Sequence, residues 1–191
     1  MIGSLTRSSL ANKRQYRSLL AGNEPVSYGA YELISTAYGT GSSGTITFSS
    51  IPSTYKHLQI RYAGLTSIAG MSVNMRFNSD TGANYNAHYL YAQGSSVTSG
   101  SSGSATDILT FGLINGTSTT IPLSGVIDIV DYASTSKFKT SRSLTGITGS
   151  PELVLGSGLW RSTSAISSAS LALPAGNWTT ASRFSLYGIK G

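Results

Sequence analysis

Cysteine is absent from the 191 residues, so the chain forms no disulfide, offers no thiolate to a metal and has no cysteine nucleophile. Charge is scarce as well. Asp, Glu, Lys and Arg make up 10% of the chain, against about 25% in an average soluble domain, which argues against charged bundles and coiled coils. No apolar run approaches the roughly 18 residues of a membrane-spanning helix, so no membrane partner is expected. Residues 1–22 contain Arg7, Lys13, Arg14 and Arg17 but no apolar core of a secretory signal. Also missing are the His-Glu-x-x-His metal spacing, the phosphate-cradling G-x-x-x-x-G-K-[ST], a strand-to-helix G-x-G-x-x-G setting, and any repeat, collagen triplet or heptad.

What is present is hydroxyl. Ser (35) and Thr (21) together account for 56 of the 191 residues, so solubility rests on hydroxyl groups and glycine turns. The apolar content of 39% and mean hydropathy of +0.02 place the chain above the disordered class. From Tyr28 onward short alternating runs are broken by Gly, Ser, Pro and Asn, the punctuation of strands and turns. Met71, Val73, Met75 and Phe77 alternate with Ser72, Asn74 and Arg76, and Leu58, Ile60 and Tyr62 alternate with His57, Gln59 and Arg61. A period of two marks each as a half-buried strand. Further strands are expected at 31–37, 44–49, 85–92, 107–114, 124–132, 138–145, 152–156, 166–173 and 182–189. Closely spaced strands without a βαβ rhythm predict an all-β fold: an antiparallel β-sandwich, jelly-roll-like, over residues 28–191. Residues 94–104, with nine Gly or Ser among eleven, read as an exposed loop or hairpin tip. The acids Asp128 and Asp131, followed across a Ser-rich turn by Lys137, Lys139 and Arg142, favour a hairpin.

The net charge of +6 is uneven, because residues 1–24 carry four basic side chains and one acid, Glu24. Residues 1–27 therefore read as a basic N-terminal arm suited to an acidic partner surface, or as a solvated leader. Ser8 or Ser9 is placed to cap a short helix, with Leu10, Leu19 and Leu20 as its apolar contacts. Outside the arm only Lys137, Lys139 and Arg142 cluster, too few for a nucleic-acid binder. His57 and His88 fall on separate strands and the acids are dispersed, so no catalytic, cofactor or metal residue is nominated and no enzyme activity is expected. Asn78 to Asn84 places oxygen side chains at alternate positions but lacks the closing Glu of a calcium loop, and Asn, Asp and Gly favour turns on their own account. The sequons at Asn115 and Asn177 occur no more often than chance among 8 Asn and 56 hydroxyl residues. Tyr85, Tyr89 and Tyr91 share one strand face. They read either as an aromatic platform for glycans or a protein partner, or as core and interface packing. Trp160 and Trp178 in the C-terminal third admit the same two readings.

Several blocks together carry a resemblance: YELIST (31–36), ITFSSIPSTYKHLQIR (46–61), RFNSDTGANY (76–85), GVIDIVDY (125–132), SGLW (157–160) and SRFSLYGI (182–189). In this order, across residues 31–190, the chain resembles a β-sandwich domain found in structural proteins of tailed bacteriophages. Such modules often end longer fibre-like or collagen-like chains. Here only a short basic segment precedes the domain, so the resemblance implies a shell-attached protein more than a long fibre. It implies an outer-surface virion protein, a capsid decoration (cement) or head-fibre protein, whose partners are the major capsid protein or other virion proteins and which assembles as a homotrimer. Arg7, Leu10, Lys13, Arg14, Arg17, Leu19 and Leu20 are the expected anchoring residues. The alternative is a tail or fibre-tip protein that holds host-surface glycans through the tyrosines and the 94–104 segment. A glycan-cleaving enzyme would need paired carboxylates, which the sequence does not display.

Overall fold

The structure is a computed structural model that describes residues 30–111, 117–147 and 152–190. The expected arm, with all seven anchoring residues, lies outside the described residues. The described residues from Tyr31 onward form one compact unit. Its strands are β1 (Tyr31–Tyr38), β2 (Thr45–Phe48), β3 (His57–Gly64), β4 (Val73–Phe77), β5 (Tyr85–Gln93), β6 (Ser96–Ala105), β7 (Ile108–Phe111), β8 (Leu123–Val130), β9 (Lys139–Ile147), β10 (Glu152–Trp160), β11 (Ala169–Ala172) and β12 (Arg183–Ile189). No helix occurs among the described residues.

Every strand pairing is antiparallel, in two sheets ordered β1-β12-β3-β8-β9-β10-β5-β6 and β2-β11-β4-β7. The fold is thus the all-β sandwich that the alternation implied. Four strands of the first sheet, β1-β12-β3-β8, together with the second sheet reproduce the eight-strand double Greek key of a jelly roll. Two hairpins are inserted into it. β5–β6 lies in the chain between β4 and β7, β9–β10 between β8 and β11, and both join the first sheet beyond β8.

The core sits where alternation points inward from both sheets. Leu58, Ile60 and Tyr62 of β3, Val73, Met75 and Phe77 of β4, and Phe184 and Leu186 of β12 are all buried. Trp178 meets Phe184 edge-on at 4.9 Å, and Tyr62 stacks on the same ring at 5.5 Å. Gly64 makes room for this cluster, since a Cβ there would lie 2.6 Å from the Trp178 ring. Asn78 and Ser79 both take positive φ, 50° and 55°, and the Asp80 N–H closes on the Phe77 carbonyl at 2.9 Å. That is the left-handed pair of a tight turn, for which Asn is well suited.

Two expectations need correction. Of the two readings of residues 94–104, the hairpin holds, with Gly94 and Ser95 at its tip between Gln93 and Ser96, and the open loop does not. Ser96–Ala105 form β6, ten residues paired along β5, because a strand needs partners for its backbone more than apolar side chains of its own. Lys139 does not join a basic surface cluster either. It is buried on the inner face of β9, where Nζ donates to the carbonyls of Lys137 at 2.7 Å and Thr163 at 3.2 Å. The hairpin expected from the flanking charges is present as β8–β9, with Asp128 opposite Arg142 and Lys137 Nζ 3.0 Å from Asp131.

Candidate functional site

A groove among the described residues lies on the outer face of the eight-stranded sheet, the side turned away from the second sheet. Registers place Val126, Leu144, Leu155 and Leu90 side by side on β8, β9, β10 and β5, ending at Ser99 of β6. One row over, Gly146, Leu153, Ala92 and Val97 form a parallel line. Leu90, Val97, Leu144, Leu153 and Leu155 are 46 to 68% exposed. Single exposed leucines are ordinary, whereas a contiguous set across four strands marks a contact surface.

Beside this patch the face turns polar and aromatic. The Arg61 guanidinium lies 5.1 Å from the Tyr31 ring and 5.2 Å from the Tyr187 ring, within cation–π range of both. Its Nε donates to Gln59 Oε1 at 2.5 Å, and Gln59 Nε2 donates to Asp128 Oδ1 at 2.7 Å, so the arginine is held in place. Between the two regions, the small side chains of Ala63 and Ser124 and the bare backbone of Gly146 lower the floor of a groove of about 960 Å³, walled by Arg61, Arg183 and Tyr187 on one side and Leu144 and Leu153 on the other. One of its walls is apolar and the other cationic.

The tyrosine row is not part of this surface. Tyr85, Tyr89 and Tyr91 do share a face, but it is the inner one. Tyr85 is buried, stacks on Trp160 at 6.3 Å, and has its hydroxyl 3.1 Å from the Phe77 amide nitrogen. Tyr91 is buried, and its phenol is pushed up first by burial and then by the charge of Glu152. Tyr89 is half-buried against the core, its ring over Gly100, where a Cβ would meet the hydroxyl at 2.5 Å. Trp160 and Trp178 are core residues as well. The reading of Tyr85 and Tyr91 as an exposed glycan platform therefore fails, because the ring area it needs is already covered.

The 78–84 segment is a turn built around one carboxylate. Asp80 Oδ2 accepts from Trp160 Nε1 at 2.7 Å and Asn84 Nδ2 at 3.0 Å, and Oδ1 accepts from the Gly82 N–H at 2.8 Å. These donors, the Trp160 N–H foremost, hold the carboxyl below its usual range, and they occupy the oxygens that a cation would take. No group of three His, Asp or Glu side chains suited to a metal occurs among the described residues. His57 Nδ1 accepts from the Asp131 amide at 3.0 Å, and His88 sits opposite Ser157 and Ser101 on the outer face. Asp131, drawn low mainly by its bond to Lys137, ties the start of β3 to the β8–β9 turn.

The leucine rows and the Arg61 stack are the features that sequence reading missed. A signal existed in β10, where Leu153, Leu155 and Leu159 share one parity and Glu152, Val154, Gly156, Gly158 and Trp160 the other. Apolarity alone chooses the leucine face for the interior, and the structure chooses the opposite.

No family model matches the chain, and no curated protein matches it. Among solved structures it is similar to a fructosyltransferase from A. japonicus, at 12% identity and a TM-score of 0.40, covering 98% of this chain and 29% of that one. It is also similar to an alginate lyase, at 10% identity and a TM-score of 0.29, covering 83% of this chain and 70% of that one. The chain thus spans less than a third of the fructosyltransferase.

Proposed function

We propose that the protein is a structural component of a tailed-bacteriophage virion, a jelly-roll body displayed on the outer surface of the capsid and anchored by residues 1–27. The observation that carries this reading is the outer face of the long sheet, where Leu90, Val97, Leu144, Leu153 and Leu155 are left exposed together. A surface of that kind is a docking surface for protein. The resemblance of residues 31–190 to structural proteins of tailed bacteriophages supports the setting. In this reading Arg7, Lys13, Arg14 and Arg17 meet acidic capsid surface while Leu10, Leu19 and Leu20 supply apolar contacts. Copies assemble as trimers, so that weak contacts add through avidity.

Immunogold labelling of intact virions with an antibody against residues 28–191 tests the proposal. Gold over the head supports it, and virions without gold overturn it. Gold confined to the tail replaces it with the adsorption reading, for which the exposed aromatic surface is Tyr31–Arg61–Tyr187 rather than the buried Tyr85 and Tyr91. A second test concerns the arm. Deleting residues 1–24 should abolish binding to capsids stripped of the protein while the cooperative melting of the body persists.

A further inference from the structure

The two sheets have four edges, and they are not alike. An edge strand exposes a row of unpaired N–H and C=O groups, which proteins usually blunt with bulges, charges, proline or short length. β2 and β7 are short, four residues each. β1 slips register between Leu33 and Ser35 and carries Glu32, held at 2.7 Å by Lys190. β6 has none of these protections along most of its length. It runs ten residues, SVTSGSSGSA, without a charge or a proline, and its pairing with β5 is regular from Ser96 to Ser102. Among the described residues no strand pairs with its far side. Only its last turn is irregular, where the register shifts opposite Tyr85 and Ala87 and Ser104 takes φ of 53°.

We infer that β6 is a self-association edge, along which two copies of the chain pair antiparallel about a two-fold axis and join their long sheets into one of sixteen strands. The strand suits its own copy better than a foreign one. Its side chains are small and hydroxyl-bearing, so a second β6 brings neither bulk nor like charge, and Ser and Thr pair well across strands. A two-fold contact is isologous, satisfying both edges at once and leaving no new edge at the contact. Pairing also extends the apolar rows, since Val97 at the edge and Leu90 one strand in would stand on the same face of the joined sheet as their counterparts in the neighbour. The inference does not depend on where the protein resides, and a two-fold contact is separate from any three-fold one, so it would link trimers in pairs.

Geometry makes the test sharp. When the axis stands perpendicular to a continuous sheet, one residue of β6 lies opposite its own copy, at a Cα separation of about 4.5 to 5.5 Å, within the reach of a disulfide. Because the full chain has no cysteine, single substitutions Val97→Cys, Thr98→Cys, Ser99→Cys and Ser101→Cys read the register directly after mild oxidation. Cross-linked dimer is expected to peak at one position. Gly100 is left out because a side chain there strikes the Tyr89 ring. Light scattering on the full chain decides the case, with Ser101→Lys as the blocking variant, since Ser101 is exposed on β6 and lies outside the leucine rows. The mass is expected to halve in the variant, with an unchanged melting transition. An unchanged mass in Ser101→Lys, or a monomeric parent, overturns the inference whatever the oxidation shows.

Discussion

The long sheet has two halves built on opposite plans. In β1-β12-β3-β8 the interior is apolar, with Leu58, Ile60, Ile127, Ile129, Phe184 and Leu186 buried, and Arg61, Gln59 and Asp128 face outward. In β9-β10-β5-β6 the plan is partly inverted. The inner face of β9 carries Lys139, Ser141, Ser143 and Thr145, and β10 sets Glu152, Gly156 and Gly158 inside, while leucines stand outside. The reason is the layer above. Over the second half lies mainly β7, which packs on β9, β10 and β5, and it approaches so closely that a Cβ at Gly158 would come within 2.6 Å of Ile108. Small and hydroxyl side chains fill that narrow gap, and Thr145 Oγ1 donates to the Thr110 carbonyl at 2.8 Å within it. One half is therefore held by the volume of its core, the other by backbone proximity and hydrogen bonds, with its leucines exposed on the outer face.

Removing volume should separate the halves most clearly. Trp178→Ala, beneath the first half between β11 and β12, empties a fully buried site bounded by Phe184 and Gly64. Denaturant titration should show a loss of about 3–5 kcal/mol, the usual range for such truncations. The second half should be more sensitive to added volume. Gly158→Val drives methyl groups into Ile108 and Ser141, and should cost about 1–3 kcal/mol by overpacking, whereas Ser141→Ala, which removes one atom from the same gap, should cost less. A larger loss from Thr145→Val, which removes the bond to the Thr110 carbonyl, than from Gly158→Val would mean that hydrogen bonding, not spacing, holds β7 down.

The halves should also differ in their response to alkali. Burial pushes the Tyr62 phenol above its usual 10, with the Thr110 and Thr145 hydroxyls opposing the shift. The unfolded chain then ionises first, so this group's contribution to stability is complete below about pH 10 and is lost as the pH rises further. Lys139 has the opposite sign. Desolvation lowers its folded pKa, so the cost of burying its charge disappears as the pH climbs through that value toward the ordinary 10.4 or so of a free lysine. Tyr62→Phe should flatten the fall of stability above pH 10. Lys139→Met should remove a rise below it, as followed by melting temperature at a series of pH values.

Sequence legibility follows the same divide. Where burial is apolar and one-sided, as in β3 and β4, alternation told inside from outside and located the strands to within a residue or two. In the second half both faces of a strand carry a mixture. Three β10 leucines compete with Val154 and Trp160, and the polar run of β9 gives no apolar stripe, so parity was visible while direction was not. Tyr85, Tyr89 and Tyr91 show the same gap, because their shared face was readable and its burial was not. β6 was invisible for a different reason, since a strand of Ser, Thr and Gly exists by pairing with β5, and pairing leaves no mark on its own composition. The candidate surface inherits these limits. Its leucines come from β5, β9 and β10, brought together by a register that spans residues 90 to 155.

The smallest expected effect bears most directly on function. Leu155 stands at the centre of the exposed row, between Leu144 and Leu90, and at 52% exposure its side chain contributes little to the body's own core. Leu155→Ser should change unfolding free energy by no more than about 0.5 kcal/mol, as exposed substitutions ordinarily do. The same change places a hydroxyl in the middle of an apolar contact surface and should weaken attachment to protein-stripped capsids, measured by co-sedimentation. Stability unchanged with attachment reduced would assign the leucines to a partner. A stability loss near 2 kcal/mol would instead mean that the row is covered within the chain itself, which removes the inversion between the halves and with it the reason to regard this face as a docking surface.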